Sequence, residues 1–216
     1  MDVVHLHAAP GDSAVPPSAR QRILEVADRL FYEEGIRAVG VDRIIAESRV
    51  SKATFYKHFT SKDILVAEYL RARNRVARVA VASQVDARSP RDALIAGVGA
   101  IIREIDSPGF RGSPFANAAA EYPDAHHAVR HIVVAHREWL TETTTTLLRR
   151  VGHPLPGDGA DDLLLAVDGA LLGGYAGDPV SAVAALQRTL ARVLSEAPAE
   201  DAVDGPESGT QGPRIP

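Results

Sequence analysis

The segment GVDRIIAESRVSKATFYKHF, residues 40–59, decides the fold of this 216-residue chain. Its apolar spacing predicts one short helix at about 41–48 and another at about 52–59, separated by a three-residue turn. Neither helix is long enough to be stable alone, so we expect both to share a core with the helix that precedes them. The predicted members of that core are Val41, Ile44, Ile45, Val50, Phe55 and Phe59, together with Ile23, Leu30 and Phe31.

The residues left outside this core have side chains that suit a polyanion. They are Ser51, Lys52, Thr54, Tyr56, Lys57 and His58. Hydroxyls, amines and a phenol can hydrogen-bond phosphates and the edges of bases. Because a helix-turn-helix places its second helix in the major groove, the segment predicts contact with double-stranded DNA.

The remaining periodicity predicts an all-α protein of about nine helices. The expected ranges are 18–34, 41–48, 52–59, 62–84, 91–105, 113–121, 125–151, 161–176 and 179–195. We divide the chain into a disordered N-terminal arm (1–17), a DNA-binding domain (18–78), a C-terminal domain (79–196) and a disordered tail (197–216). The tail is rich in Pro, Gly and acidic residues and offers little to bury.

The charge distribution also favours a DNA partner for one end of the chain. The net charge is −4, yet residues 20–80 hold 13 basic and 8 acidic residues, while the rest holds 11 basic and 20 acidic ones. The chain has no cysteine, which excludes disulfides, thiolate metal sites and catalytic cysteine. No secretory signal is visible, and the most apolar stretch, 163–175, is too short to span a bilayer. We therefore expect a soluble, cytoplasmic protein with no membrane partner.

Residues 20–70 resemble the DNA-binding domain of the TetR family of bacterial transcriptional regulators. The matching residues are Arg22-Ile23-Leu24, Leu30-Phe31, Gly35, Val50-Ser51-Lys52, Thr54-Phe55-Tyr56, His58-Phe59 and Ser61-Lys62. The resemblance implies an all-helical homodimer with a variable C-terminal domain, residues 79–196 here, for effector binding and dimerisation. It also implies phosphate contacts for Thr54, Tyr56 and Lys62. Base or backbone contacts are implied for Arg43, Ser51, Lys52, Ala53 and Lys57, while His58 matches a family histidine that can instead pack or cap the helix.

Two residues depart from the family pattern. Arg49 stands where most relatives have glycine in the turn, so we expect either a positive φ, at a cost of about 1 kcal/mol, or a phosphate contact in a slightly different turn. Gly40 stands where many relatives have a threonine cap, which removes a contribution of about 1 kcal/mol.

The C-terminal half contains candidate effector-binding residues. Aromatic and polar side chains in one region suit a mostly apolar site with a few fixed polar groups: Phe110, Phe115, Asn117, Glu121, Tyr122, His136 and Trp139. The alternative is that the aromatic residues belong to the core. Asp168 interrupts an apolar helix, so we expect it to be buried beside a ligand cation, His136 or an arginine.

The last two predicted helices are candidates for a dimer interface, as the resemblance implies. The expected interface residues are Gly169, Leu171, Leu172, Gly173, Val183, Leu186 and Leu190. Close packing inside one subunit would explain them equally well. A two-fold dimer would read a palindromic operator.

Other kinds of function receive less support from the sequence. His127 and His131 have the i, i+4 spacing of a metal chelate, with Glu121 or Glu138 as a further ligand, but an exposed helix face is the simpler interpretation. We expect no cofactor or metal. A His136–Asp168 enzyme lacks any accompanying nucleophile or phosphate-binding motif. The leading hypothesis is a repressor released by a small, largely apolar effector; the alternative is a DNA-binding regulator without an effector.

Overall fold

The computed structural model describes residues 16–198, which form nine α-helices and no strand. The helices are α1 (Ala19–Glu34), α2 (Val41–Ser48), α3 (Lys52–His58), α4 (Lys62–Ala87), α5 (Pro90–Ile105), α6 (Pro114–Glu121), α7 (Ala128–Arg150), α8 (Pro156–Ala176) and α9 (Pro179–Ser195). The all-α prediction is confirmed. The predicted arm and tail lie outside the described residues, except for residues 16–17 and 197–198.

Serine residues set the start of five helices. The side chains of Ser18, Ser51, Ser61, Ser89 and Ser113 each accept a hydrogen bond from the backbone N–H three residues later. Each such cap contributes about 1 kcal/mol by satisfying a donor that the first helical turn leaves unpaired. Ser18 also forms a capping box with Gln21.

Two helix starts differ from the prediction by more than one residue. α7 begins at Ala128 rather than 125, because His127 Nδ1 accepts a hydrogen bond from Val129 N and caps the helix. α8 begins five residues earlier than expected, at Pro156. The sequence pattern treated that proline as part of a loop, but proline is well tolerated in the first helical turn, where its missing N–H is not needed.

The helices pack around two hydrophobic cores. The N-terminal core joins α1–α4 and contains the predicted residues, with Ile23, Leu30, Ile44, Phe55 and Phe59 fully buried and Val41, Ile45 and Val50 packed at its edge. It also takes in Phe115, Ala118 and Val129 from α6 and α7. The C-terminal core joins α5, α8, α9 and the end of α7. α4 continues without a break through the proposed boundary at 78/79.

A buried ion pair ties α1 to α4. Arg73 donates from Nε to Asp28 Oδ1 at 2.6 Å and from Nη2 to Asp28 Oδ2 at 3.0 Å. Both residues are largely shielded from solvent. The guanidinium also lies 4.8 Å from the Tyr32 ring centroid and 5.6 Å from that of Tyr69. Two charges removed from water are tolerated here because they meet in two parallel hydrogen bonds and against aromatic faces.

Candidate DNA interface and effector region

The turn between α2 and α3 is strained at Arg49. Its φ is 53° and ψ 47°, the left-handed conformation, and it is the one non-glycine residue with positive φ among residues 16–198. Its backbone N–H donates a hydrogen bond to the carbonyl of Ala46 at the end of α2. This confirms the expected positive φ, which disfavours residues that carry a Cβ. Gly40 begins α2 without a side-chain cap, also as expected.

Arg49→Gly is predicted to raise the free energy of unfolding by about 1 kcal/mol, because glycine adopts the left-handed conformation without steric penalty. Urea denaturation measures the change. Arg49→Ala is the matched control, since it removes the side chain and retains the Cβ. Equal stability of the glycine and alanine variants would contradict strain as the cause. Operator affinity that falls equally in both variants would reveal a phosphate contact by the guanidinium.

Helix α3 is held by its aromatic residues and exposes its polar ones. Phe55 and Phe59 are fully buried. The opposite face exposes Ser51, Lys52, Ala53, Tyr56, Lys57 and His58, with Thr54 half-buried. Tyr56 packs edge-on against Phe55 with ring centroids 5.2 Å apart and remains exposed. The predicted contact residues of α3 therefore share one accessible surface.

The three predicted cations at the edges of this surface differ in how readily they could contact DNA. Lys52 lies 3.7 Å from Asp42, but both side chains are well exposed and such a pair is easily exchanged for a phosphate. Arg43 instead donates to both oxygens of Glu34 and to Glu47, and these hydrogen bonds raise its pKa. A contact between Arg43 and DNA would require part of this network to open.

Lys62, the third cation, starts α4 and is half-buried. Its Nζ lies 6.0 Å from the Phe31 ring centroid. Burial lowers the pKa of this amine, while the charges of Glu121 and Asp63 oppose the shift. Lys62 is thus placed beside the helix-turn-helix by packing, with carboxylates close enough to influence its charge.

Three of the predicted effector residues meet in an aromatic cluster, which we define as Phe115, His136 and Trp139 with Asn74 and Arg78. The rings of Phe115 and His136 are stacked, with centroids 3.6 Å apart. Trp139 lies 5.5 Å from His136, and the Arg78 guanidinium 4.7 Å from the Trp139 ring. His136 Nδ1 is 2.9 Å from Asn74 Oδ1. Asn74 and Arg78 come from α4 and were not anticipated, although their i, i+4 spacing could have indicated a shared face.

Burial, followed by the charges of Arg78 and Arg137, lowers the pKa of His136 from 6.5 to about 4. The folded state therefore binds fewer protons at this site than the unfolded state as pH falls from 6.5 to 4. Stability is predicted to decline across that window by more in the wild type than in His136→Gln. Urea midpoints measured at several pH values test this difference. Parallel pH profiles for the two proteins would contradict it.

The other predicted effector residues do not join the aromatic cluster. Phe110 faces Gly174, and Asn117 is exposed and donates from Nδ2 to the Arg111 carbonyl. Glu121 accepts from backbone N–H groups in the turn after α1, and Tyr122 donates to Asp63. A shallow cleft of about 250 Å³ lies elsewhere, between α4 and α7, lined by Val85, Glu142, Thr143, Thr146, Leu147 and Arg150.

The prediction that Asp168 is buried is wrong. Its side chain is 55% exposed and its carboxylate accepts from Arg137 at 2.6 Å. α8 is apolar nearly all round, but one face of it is open in this protomer, and Asp168 borders that face. His136 pairs with Asn74, so the two residues do not form the dyad considered for an enzyme.

The predicted dimer residues divide between the core and the surface. Leu171, Leu186 and Leu190 belong to the C-terminal core and are buried within the subunit. Val183 is partly buried against the same core, and Gly173 packs closely against Ala182. Leu172 and Gly169 are exposed. The surface also exposes Leu165, Tyr175 and Val180, which the sequence pattern did not single out. We call Leu165, Gly169, Leu172, Tyr175 and Val180 the α8–α9 apolar face.

The histidines considered for metal binding do not share a helix face. His127 precedes α7, uses Nδ1 to cap it, and directs Nε2 toward Asp63 at 3.6 Å. His131 lies within α7 and is exposed. Over residues 16–198, no group of three or more His, Cys, Asp or Glu side chains is arranged to hold a metal ion.

Glu104, on α5, is a further ionisable residue that sequence reasoning missed. Burial raises the pKa of its carboxyl, and the charge of Arg73 opposes that shift.

Within residues 16–198, none of the helices has both the length and the hydrophobicity that crossing a membrane requires.

Comparison with known proteins agrees with the geometry of α2 and α3. The family model described as "Bacterial regulatory proteins, tetR family" matches residues 23–69. The fold is similar to the crystal structure of a TetR-family transcriptional regulator from Streptomyces coelicolor, with 39% identity, a TM-score of 0.79, and coverage of 83% of this chain and 95% of that one.

Curated relatives match a shorter part of the chain. An HTH-type transcriptional regulator of Mycobacterium tuberculosis is 29% identical over 92 residues, which cover 42% of this chain and 46% of the relative. One from Staphylococcus aureus is 44% identical over 46 residues, covering 21% and 25%. The chain thus spans less than half the length of these relatives. Each of these matches is to a transcriptional regulator. The chain belongs to the TetR family of bacterial transcriptional regulators, whose family model covers its helix-turn-helix.

Proposed function

We propose that this protein is a repressor that binds a palindromic operator as a homodimer and is released by a small, largely apolar effector. The observation that carries the proposal is the exposed surface of α3, where hydroxyl, amine, phenol and imidazole groups lie together above a fully buried aromatic anchor. These groups can contact phosphates and base edges when α3 enters the major groove. Action on operator DNA would place the protein in the cytoplasm.

The DNA contacts are assigned to the residues predicted from the sequence. We propose phosphate contacts for Thr54, Tyr56 and Lys62, and base or nearby backbone contacts for Ser51, Lys52, Ala53 and Lys57. His58, at the end of α3, and Arg49, in the turn, are exposed beside them. Arg43 would contribute only after exchange with Glu34 and Glu47. The DNA-binding domain is proposed to span 18–78 and the effector-binding and dimerisation domain 79–196.

The α8–α9 apolar face supports the homodimer. Leu165 and Leu172 lie two helical turns apart on α8 and are 64% and 67% exposed, and Val180, in the first turn of α9, is 77% exposed. Gly169 lies between the two leucines, and a Cβ added there would meet no other atom of the protomer. Exposed apolar side chains grouped around a small residue are typical of a surface that a second copy can cover.

The aromatic cluster supports an effector site in the body. It combines apolar ring faces with polar atoms of Asn74, Arg78 and a neutral His136, the composition expected of a site for a small, largely apolar molecule. The stacked contact between Phe115 and His136 also supports a second candidate, a regulator without an effector, because the rings already fill space that a ligand would occupy. A ligand would have to displace Phe115.

Operator selection followed by transcription in vitro tests the proposal. Selection from random duplex DNA is expected to enrich a palindrome, and the protein is expected to reduce transcription from a promoter that overlaps it. A screen of small apolar compounds should then identify molecules that restore transcription from that promoter in the wild type and fail to do so in Phe115→Ala or His136→Ala. Enrichment of an asymmetric site would contradict the dimer. Higher transcription would contradict repression. Release that is unaffected by both variants would contradict the assigned site.

Lys57→Ala is predicted to weaken operator binding and to reduce the slope of log affinity against log salt by about one, because a contact of Lys57 with the nearby DNA backbone releases about one counterion. Fluorescence anisotropy at several salt concentrations measures both quantities. Arg149→Ala is the control, since Arg149 is exposed at the far end of α7. An unchanged slope would show that Lys57 does not neutralise a phosphate. The same experiment applies to Lys62→Ala.

A further inference from the structure

The segment 110–122, which contains α6, is hydrogen-bonded at both ends to elements that flank α2 and α3, namely α1, the turn after it and the start of α4. We call it the α6 segment. At its first end, the Tyr32 hydroxyl of α1 accepts from Arg111 N at 2.9 Å and donates to the Gly112 carbonyl at 3.1 Å. One phenol thus uses both its donor and its acceptor on neighbouring peptide groups, which fixes α1 against the start of the segment.

At the other end, Glu121 holds the turn that leads into the helix-turn-helix. Its Oε1 accepts from Ile36 N at 2.8 Å and its Oε2 from Arg37 N at 2.6 Å. Gly35 brings the turn close to the carboxylate, since a Cβ added there would lie 3.4 Å from Oε1. Hydrogen bonds to an ionised carboxylate are stronger than those between neutral groups, so this two-point contact restrains the turn.

The neighbouring residue extends the restraint to α4. Tyr122 donates to Asp63 Oδ1 at 2.9 Å, and Asp63 lies in the first turn of α4 beside Lys62. The charge of Glu121 also influences Lys62. The last two residues of the α6 segment therefore contact the elements on both sides of the helix-turn-helix, the turn before α2 and the start of α4.

We propose that Glu121 is a positioning residue that sets which half-site spacing the dimer accepts. It does not touch DNA in this assignment; it fixes the orientation of α2 and α3 relative to α6 and the rest of the body. In a two-fold dimer that orientation determines the separation of the two α3 helices, and the half-sites must match that separation. The inference rests on the proposed homodimer and assigns a specificity role within it.

The test compares Glu121→Gln and Glu121→Ala with the wild type on a set of operators. The set keeps the half-site sequence constant and changes the spacing by single base pairs on either side of the optimum; a fragment with one half-site is included. The wild type is expected to prefer one spacing by about tenfold. Both variants should bind the single half-site as the wild type does, within about twofold. Their spacing profile, which is the affinity plotted against half-site spacing, should be flatter than that of the wild type. The alanine variant should have the flatter profile of the two. Glu138→Gln, on an exposed position of α7, is the matched control and should retain the wild-type profile.

A purely structural role for Glu121 would lower affinity equally at every spacing, and that result overturns the proposal. An unchanged profile in both variants overturns it as well. Tyr122→Phe removes the hydrogen bond to Asp63 while retaining the carboxylate of Glu121, and it serves if the alanine variant does not fold; a smaller flattening is expected. A wild type that binds a single half-site as tightly as the palindrome would instead refute the proposed dimer and this inference together.

Discussion

Replacement of Leu172 by glutamate is expected to convert the proposed dimer into a monomer and to lower affinity for a palindromic operator by about 10²–10⁴-fold. Leu172 lies on the α8–α9 apolar face. A two-fold axis that brings this face against itself also brings the two introduced carboxylates close together. Burial of an unpaired charge is strongly unfavourable, and loss of the second binding site removes the gain in affinity that two linked sites provide.

Light scattering after gel filtration measures the mass, and anisotropy compares the palindrome with a single half-site. Val79→Glu is the control, because Val79 is 71% exposed on α4 and lies outside the proposed interface. The Leu172→Glu variant should bind the single half-site as tightly as the wild type does. A dimeric Leu172→Glu protein would place the interface elsewhere, and dissociation of the Val79 variant would show that this type of substitution is not selective.

Arg73→Met is expected to lower the free energy of unfolding by about 3–5 kcal/mol, the effect of breaking a buried ion pair from one side. The guanidinium neutralises the carboxylate of Asp28 and opposes the burial-induced pKa shift of Glu104. Its loss removes this cation from both carboxylates, each of which is largely shielded from solvent. Urea unfolding measures the change.

Two further variants test whether the loss of stability in Arg73→Met comes from breaking the ion pair between Arg73 and Asp28. Glu33→Gln removes one partner of the exposed Arg29–Glu33 pair and should change stability by less than about 1 kcal/mol. The double variant Asp28→Leu/Arg73→Met should recover much of the lost stability, since apolar side chains can replace a buried pair. A loss below about 1 kcal/mol for Arg73→Met would show that the pair is effectively solvated.

Local sequence signals predicted the helices and the N-terminal core well. Serine caps, Gly35 and the spacing of Ile44, Phe55 and Phe59 all act over a few residues, so they can be read without knowledge of the tertiary structure. Arg49 belongs to the same class, because its left-handed conformation follows from the tight turn. The exposed face of α3 was predictable for the same reason once Phe55 and Phe59 were assigned to the core.

Contacts between distant parts of the chain were not predictable in this way. Glu121 was expected to line an effector site, yet it contacts backbone groups 84 and 85 positions earlier. Arg43 was expected to contact bases or the flanking DNA backbone, and in the structure it donates to Glu34. In α8, an apolar composition on all sides concealed which leucines face the core, so Leu171 was assigned to the interface and Leu165 was overlooked.

The aromatic cluster also gives the protein a built-in optical reporter. Trp139 is the only tryptophan of the chain, so its emission arises from one position. The indole lies beside an imidazole and a guanidinium, groups whose rearrangement alters the polarity and quenching that the excited ring experiences. Displacement of Phe115 by a ligand would therefore register as a change in intrinsic fluorescence, without any label, and binding could be followed in real time by stopped flow.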